Sequence, residues 1–111
     1  MATKKDFAGM MRRDTPTFNI DLGTFDITGY TFRLTIKKLD DNTTDDTNAI
    51  LATSWTAHIN NFETAVTLTK TQTNFAGGIY KYDIQMANAN TTHTILYGEW
   101  EQIVDVTITA P

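Results

Sequence analysis

A chain of 111 residues is the size of one domain and long enough to bury a core without covalent help. Cysteine is absent, which excludes a disulfide framework, a thiolate metal site and a cysteine nucleophile. The net charge of −4 argues against broad nucleic-acid binding, which needs clustered Lys and Arg against phosphates. No run approaches the roughly 18 apolar residues of a membrane helix, so a soluble protein is expected.

The basic side chains are unevenly placed. Lys4, Lys5, Arg12 and Arg13 all fall within the first thirteen residues, so the head of the chain is positive and the remainder acidic. Met1 to Lys5 has the charge of a signal-peptide start, but Asp6, Gly9, Arg12 and Arg13 interrupt any apolar stretch, and no export signal is read. Phe7, Met10 and Met11 are at helical spacing, yet Gly9 and the short length do not sustain an isolated helix. Residues 1–16 are therefore expected to form a docking arm, with Phe7, Met10, Met11, Arg12 and Arg13 as the docking residues. Its apolar residues either fold back on the domain or, as an assembly would favour, bury themselves on a neighbour. A frayed terminus is the plainer alternative. Pro16 ends the arm, because it holds the preceding residue extended and cannot donate to a central ladder.

The remainder, 17–111, reads as β structure. Twenty-two of its and the arm's residues together are threonine, a β-branched type that suits the exposed face of a pleated sheet. Thr17 to Leu22 alternates Phe18, Ile20 and Leu22 against polar neighbours, and Gly23 closes it. A turn over Asp26 to Gly29 leads into a strand with Phe32, Leu34 and Ile36 on one face and Arg33, Thr35 and Lys37 on the other. The polar stretch Leu39 to Asn48 is expected to be a mobile surface excursion that buries nothing.

Ile50 to Ile59 resumes the alternation, with Trp55 as the expected core anchor beside Ala57 and Ile59. Glu63 to Lys70 places Val66 and Leu68 inward, Thr71 to Asn74 forms a corner, and Gly77-Gly78 is permissive backbone before the next strand. Ile79 to Met86 sets Tyr80, Tyr82, Ile84 and Met86 on one side against Lys81, Asp83 and Gln85, the pattern of a central strand. A hairpin loop over Asn88 to Thr92 returns into Thr94 to Trp100. A last strand, Val104 to Thr109, is expected to turn Val104, Val106 and Ile108 inward. About seven strands with regular turn signals predict an all-β, antiparallel two-sheet sandwich.

Few side chains are grouped for chemistry. Asp40 and Asn42 match the first two ligands of a calcium loop, but Thr44, Asp45 and Leu51 occupy positions that expect a third carboxylate or amide, a glycine and a bidentate glutamate. The stretch is read as a solvated acidic loop. His58 and His93 have no second ligand at metal spacing, and Ser54, the only serine, lies in a strand outside any nucleophile elbow. Glu99 and Glu101 share a face as exposed carboxylates rather than an acid–base pair. Asn42-Thr43-Thr44 and Asn90-Thr91-Thr92 match the glycosylation sequon by composition. Tyr80, Tyr82, Tyr97 and Trp100 could offer stacking surfaces to a sugar, although Tyr80 and Tyr82 share their face with Ile84 and Met86, which favours the core. No cofactor, metal or catalytic residue is predicted.

Taken in order, several segments resemble the small immunoglobulin-like β-sandwich module of tailed-phage structural proteins. They are Asp14-Thr15 before the first strand, Asp26-Ile27-Thr28-Gly29 before an aromatic, Leu68-Thr69 with Thr71 and Thr73, Tyr80-x-Tyr82-Asp83-Ile84, Gly98 after Leu96, and Asp105-Val106-Thr107. The chain from Asp14 onward is similar to the N-terminal domain of phage baseplate upper proteins and to short neck, tail and capsid-associated virion proteins. Arg13 stands where members often carry glycine, and the acidic loop has no counterpart. The resemblance implies a non-enzymatic virion component, assembled in the host cytoplasm and held by other virion proteins in a symmetric, multi-copy arrangement. A capsid decoration protein and a module that binds host-surface glycans are the alternatives.

Overall fold

The computed structural model describes residues 2–104 and is all-β and sandwich-like. Its strands are β1 (Thr3–Lys4), β2 (Phe7–Met11), β3 (Thr17–Asp21), β4 (Thr31–Lys38), β5 (Leu51–Trp55), β6 (Glu63–Thr67), β7 (Gly78–Ala87) and β8 (Thr92–Ile103). The larger sheet runs β1-β8-β7-β4-β5, with β2 following β1 along β8, and β3 and β6 form a separate antiparallel pair. The pairings of β7 with β8 and of β4 with β7 and β5 are antiparallel, whereas β1 and β2 run parallel to β8.

The two longest alternations make the centre of the large sheet. Leu34 pairs with Ile84 and Ile36 with Tyr82, so the even positions of β4 and β7 fall on one face. That face is buried: Phe32, Leu34, Ile36, Tyr80, Tyr82, Ile84 and Met86 belong to one core together with Ile20, Ile27, Leu51, Leu68, Ile95 and Trp100. Each such side chain contributes roughly 1.5–3 kcal/mol by leaving water, which is why the two-residue period is so regular here. Phe18 and Val66, paired across β3 and β6, are partly buried and lie against this core from the small sheet.

The turn before β4 has the form its sequence predicts. The Asp26 carboxylate accepts the Thr28 amide at 2.9 Å, Tyr30 donates to the Ile27 carbonyl at 3.0 Å, and Gly29 takes φ +82°, where a side chain is strained. Hydrogen bonds from the Thr28 hydroxyl and amide hold the Asp26 carboxyl below its ordinary range. The loop from β7 to β8 is closed similarly, with the Asn88 side chain accepting the amides of Asn90 and Thr91 at 2.9 and 2.8 Å.

Four expectations are corrected. Trp55 ends its strand and is only partly buried, and Ile59 beyond it is 58% exposed, because the chain leaves the sheet after residue 55. Trp100, 1% exposed, is the buried tryptophan. The strand expected at Thr94–Trp100 continues unbroken to Ile103, so Val104 follows its end and is 39% exposed instead of inward. Val106 and the rest of the last expected strand lie outside the described residues. A bulge between Ile84 and Gln85 leaves Ile95 without a direct partner on β7, and this extra residue is buried.

Candidate interaction surface

The N-terminal segment lies along β8. Thr3 is opposite Leu96 and Lys4 opposite Tyr97 in β1; in β2, Phe7 is opposite Trp100, Met10 opposite Gln102 and Met11 opposite Ile103. The register shifts between Phe7 and Met10, where the Gly9 amide donates to the Glu101 carboxylate at 2.9 Å. Between the two strands the chain steps over Gly98: Lys5 donates to the Tyr97 carbonyl at 2.8 Å and Asp6 accepts the Glu99 amide at 2.9 Å. The Tyr82 hydroxyl donates to the Lys5 carbonyl from the core side. Burial, reinforced by the nearby Asp6 charge, pushes the Tyr82 phenol up to about 12.

Phe7 seals the contact. Its ring lies 5.0 Å from Phe18, 5.1 Å from Tyr82 and 5.7 Å from Trp100, so one side chain joins the N-terminal strand to both sheets. Met10 also packs on the core, and Met11 is partly buried. Arg12 donates its amide to Ile103 at 2.8 Å, and Arg13 turns the chain with φ +67°. Phe7, Met10 and Met11 thus lie along the protein's own β8, and Arg12 and Arg13 directly follow the strand that does so. Their helical spacing hid this, because the bulge at Gly9 breaks the strand period.

A network behind Trp100 fixes the far end of β8. Its indole donates to Gln102 at 3.0 Å, and the Gln102 amide donates to the carbonyls of Thr73 at 2.8 Å and Phe75 at 3.3 Å. The Thr73 hydroxyl donates to the Asp14 carbonyl at 2.7 Å. Gln102 is a buried polar residue that its neighbours satisfy, as burial requires.

Comparison with known proteins finds no family model, no curated sequence and no solved structure that matches this chain.

The opposite face of the large sheet carries a polar cavity of about 400 Å³ lined by Arg33, Thr35, Lys37, Asp46, Lys81 and Asp83, among others. Residues 39–50 do not stand away from the sheet as expected. Lys37 donates to the carbonyls of Thr43 at 3.1 Å and Asp45 at 2.5 Å, Lys81 donates to the Asp41 carbonyl, and Arg33 pairs with Asp46. The two lysines therefore tether the loop's backbone and Arg33 its Asp46 side chain, and Thr35 beneath it is buried. Asp41 and Asp45 bend back to cap the amides of Thr43 and Thr47 at 2.9 and 3.0 Å. These bonds lower both carboxyls, through the Thr43 hydroxyl and amide at Asp41 and the Thr47 amide and hydroxyl at Asp45. Among the described residues no group of three or more histidines and carboxylates could hold a metal ion.

The remaining candidates have local explanations. Thr64, wholly buried, accepts the Trp55 indole N–H at 2.8 Å and lies 2.9 Å from His58 Nδ1, while His58 Nε2 is 3.0 Å from the Tyr30 carbonyl. A carbonyl only accepts, so Nε2 carries the proton and Nδ1 receives the Thr64 hydroxyl. His93 sits against the rings of Phe25 and Tyr30. Of the aromatic residues considered for sugar stacking, Tyr80, Tyr82 and Trp100 are buried and Tyr97 is exposed.

Proposed function

We propose that the chain is a non-enzymatic structural component of a bacteriophage virion, in the tail, baseplate or neck, built on an immunoglobulin-like sandwich and held by contacts with other virion proteins. Strand order is the observation that carries this reading. If β3 to β8 are taken as immunoglobulin strands B, C, C′, E, F and G, then G, F, C and C′ are neighbours in one sheet and B and E pair in the other. That order supports the resemblance drawn from the Asp26–Gly29 turn, the Tyr80-x-Tyr82 strand and Gly98. Gly98 has a definite task in such a module, since the N-terminal strand crosses it.

Two edges of the large sheet are available for such contacts. Among the described residues, the outer edges of β1–β2 and of β5 have no strand beside them, and an unpaired edge is a natural template for another chain. Mass spectrometry and immunogold labelling of purified particles test the proposal. The protein should be found in the particle at the tail or neck in few copies; hundreds of copies on the shell would instead identify a decoration protein. Absence from intact particles would reject the virion assignment.

A further inference from the structure

The N-terminal strand is bound as a separable part. Among the described residues its strand pairing is with β8 alone, and its anchoring side chain, Phe7, enters an aromatic cluster made by Phe18, Tyr82 and Trp100 of the main body. The connection from β2 to β3 spans residues 12–16. Within it Arg13 adopts φ +67°, a left-handed conformation that side chains other than glycine rarely take, and Pro16 favours an extended chain on its N-terminal side. A short connection that holds strain in its closed form is the condition under which identical elements exchange between copies.

Charge favours docking of the strand on β8. Residues 1–13 carry four basic side chains against Asp6, a net +3, while residues 14–111 carry five basic against twelve acidic, a net −7. An undocked strand is therefore drawn to an acidic body, its own or that of a second copy, whereas two closed copies, each carrying −4, repel.

We propose that residues 2–11 exchange between copies of this chain, each N-terminal strand adding in parallel to β8 of a second copy and placing its Phe7 in that copy's Phe18–Tyr82–Trp100 cluster. Every contact along β8 is then remade between molecules with the same register. The opened connection frees Arg13 from its left-handed conformation, and two copies are joined without a new surface. The multi-copy virion arrangement proposed above is the setting in which this linkage would act, but the exchange belongs to the purified protein and is tested there. Its failure would leave the virion assignment standing, and absence of the protein from particles would leave the exchange standing.

The absence of cysteine makes disulfide trapping clean. Met11 and Ile103 are paired in register and neither is deeply buried. A Met11→Cys chain and a size-tagged Ile103→Cys chain are mixed at millimolar concentration, incubated and then oxidised with glutathione. Exchange predicts a mixed-mass disulfide dimer bonded between positions 11 and 103, at about tenfold higher yield than a Thr44→Cys with Ile103→Cys control, because docking raises the local thiol concentration. Adding Arg13→Gly to both chains relaxes the closed form and should lower that yield severalfold. A mixed dimer no more abundant than the control, while a chain carrying both Met11→Cys and Ile103→Cys closes its own bond, overturns the proposal. A yield that Arg13→Gly raises overturns the role given to the connection.

Discussion

A Cβ on Gly98 would run into the carbonyl oxygen of Lys5, and the N-terminal strand crosses β8 there because residue 98 has no side chain. The obstruction is backbone, with the Asp6 carboxylate beside it, so no flexible side chain can move aside. Gly98→Ala should loosen β1 and β2 from β8 while leaving the β4–β7 centre folded, at a cost of about 1–3 kcal/mol. Limited proteolysis within residues 2–13 should become faster and the melting temperature should fall. Wild-type behaviour in both measurements would show that the crossing is not as close as described.

Leu34 and Arg33 are neighbours in β4 with opposite consequences. Leu34 is 1% exposed and paired opposite Ile84. Leu34→Asp buries an unpaired carboxylate and should cost more than about 4 kcal/mol, most of the roughly 5–15 kcal/mol by which a domain is stable. A cooperative melt surviving Leu34→Asp would refute the placing of the core. Arg33 pairs with Asp46 where both are more than a third exposed, so Arg33→Ala should cost less than about 1 kcal/mol.

Thr64→Val tests the buried hydroxyl between Trp55 and His58. Valine keeps the shape but leaves the indole N–H and His58 Nδ1 without their partner, a loss of about 1–3 kcal/mol. Denaturant unfolding followed by tryptophan fluorescence measures it. A variant as stable as wild type would show that the hydroxyl carries no net stabilisation.

Which parts of this molecule the sequence reveals follows from how local their causes are. β4 and β7 are legible because each has one face in the core and one outside it, which imposes a period of two on ten or fewer adjacent residues. The Asp26–Gly29 turn is legible because its hydrogen bonds join residues two or three apart. Phe7 is different: its partners Phe18, Tyr82 and Trp100 are scattered along the chain, and the Gly9 irregularity removes the alternation that would have marked β2 as a strand. The loop over residues 39–50 looks free because its composition is polar. It is held by Lys37 and Lys81 reaching backbone carbonyls, a contact open to any loop sequence of suitable length. Gln102 is similarly silent, since only the fold brings the carbonyls of Thr73 and Phe75 to its amide.

Asp83 carries a pH signature opposite in sign to that of the loop's carboxylates. Burial raises its carboxyl above the ordinary 3.8, the Asp46 charge adds to the rise, and Lys37 opposes it. Between 3.8 and the folded value the native chain keeps a proton that the unfolded chain has lost, so ionisation of Asp83 subtracts stability as pH rises through that window. The penalty is complete at neutral pH. Asp26, Asp41 and Asp45, whose carboxyls are lowered, instead add stability above 3.8 and lose it as pH falls. Asp83→Asn should therefore raise the melting temperature at about pH 7, and the difference from wild type should shrink towards zero at about pH 3, where both folded and unfolded Asp83 are largely protonated. Thermal melts of the two proteins across this range provide the check. A variant less stable than wild type at neutral pH would mean that attraction to Lys37 outweighs burial and the Asp46 charge, and that Asp83 helps to hold the loop down.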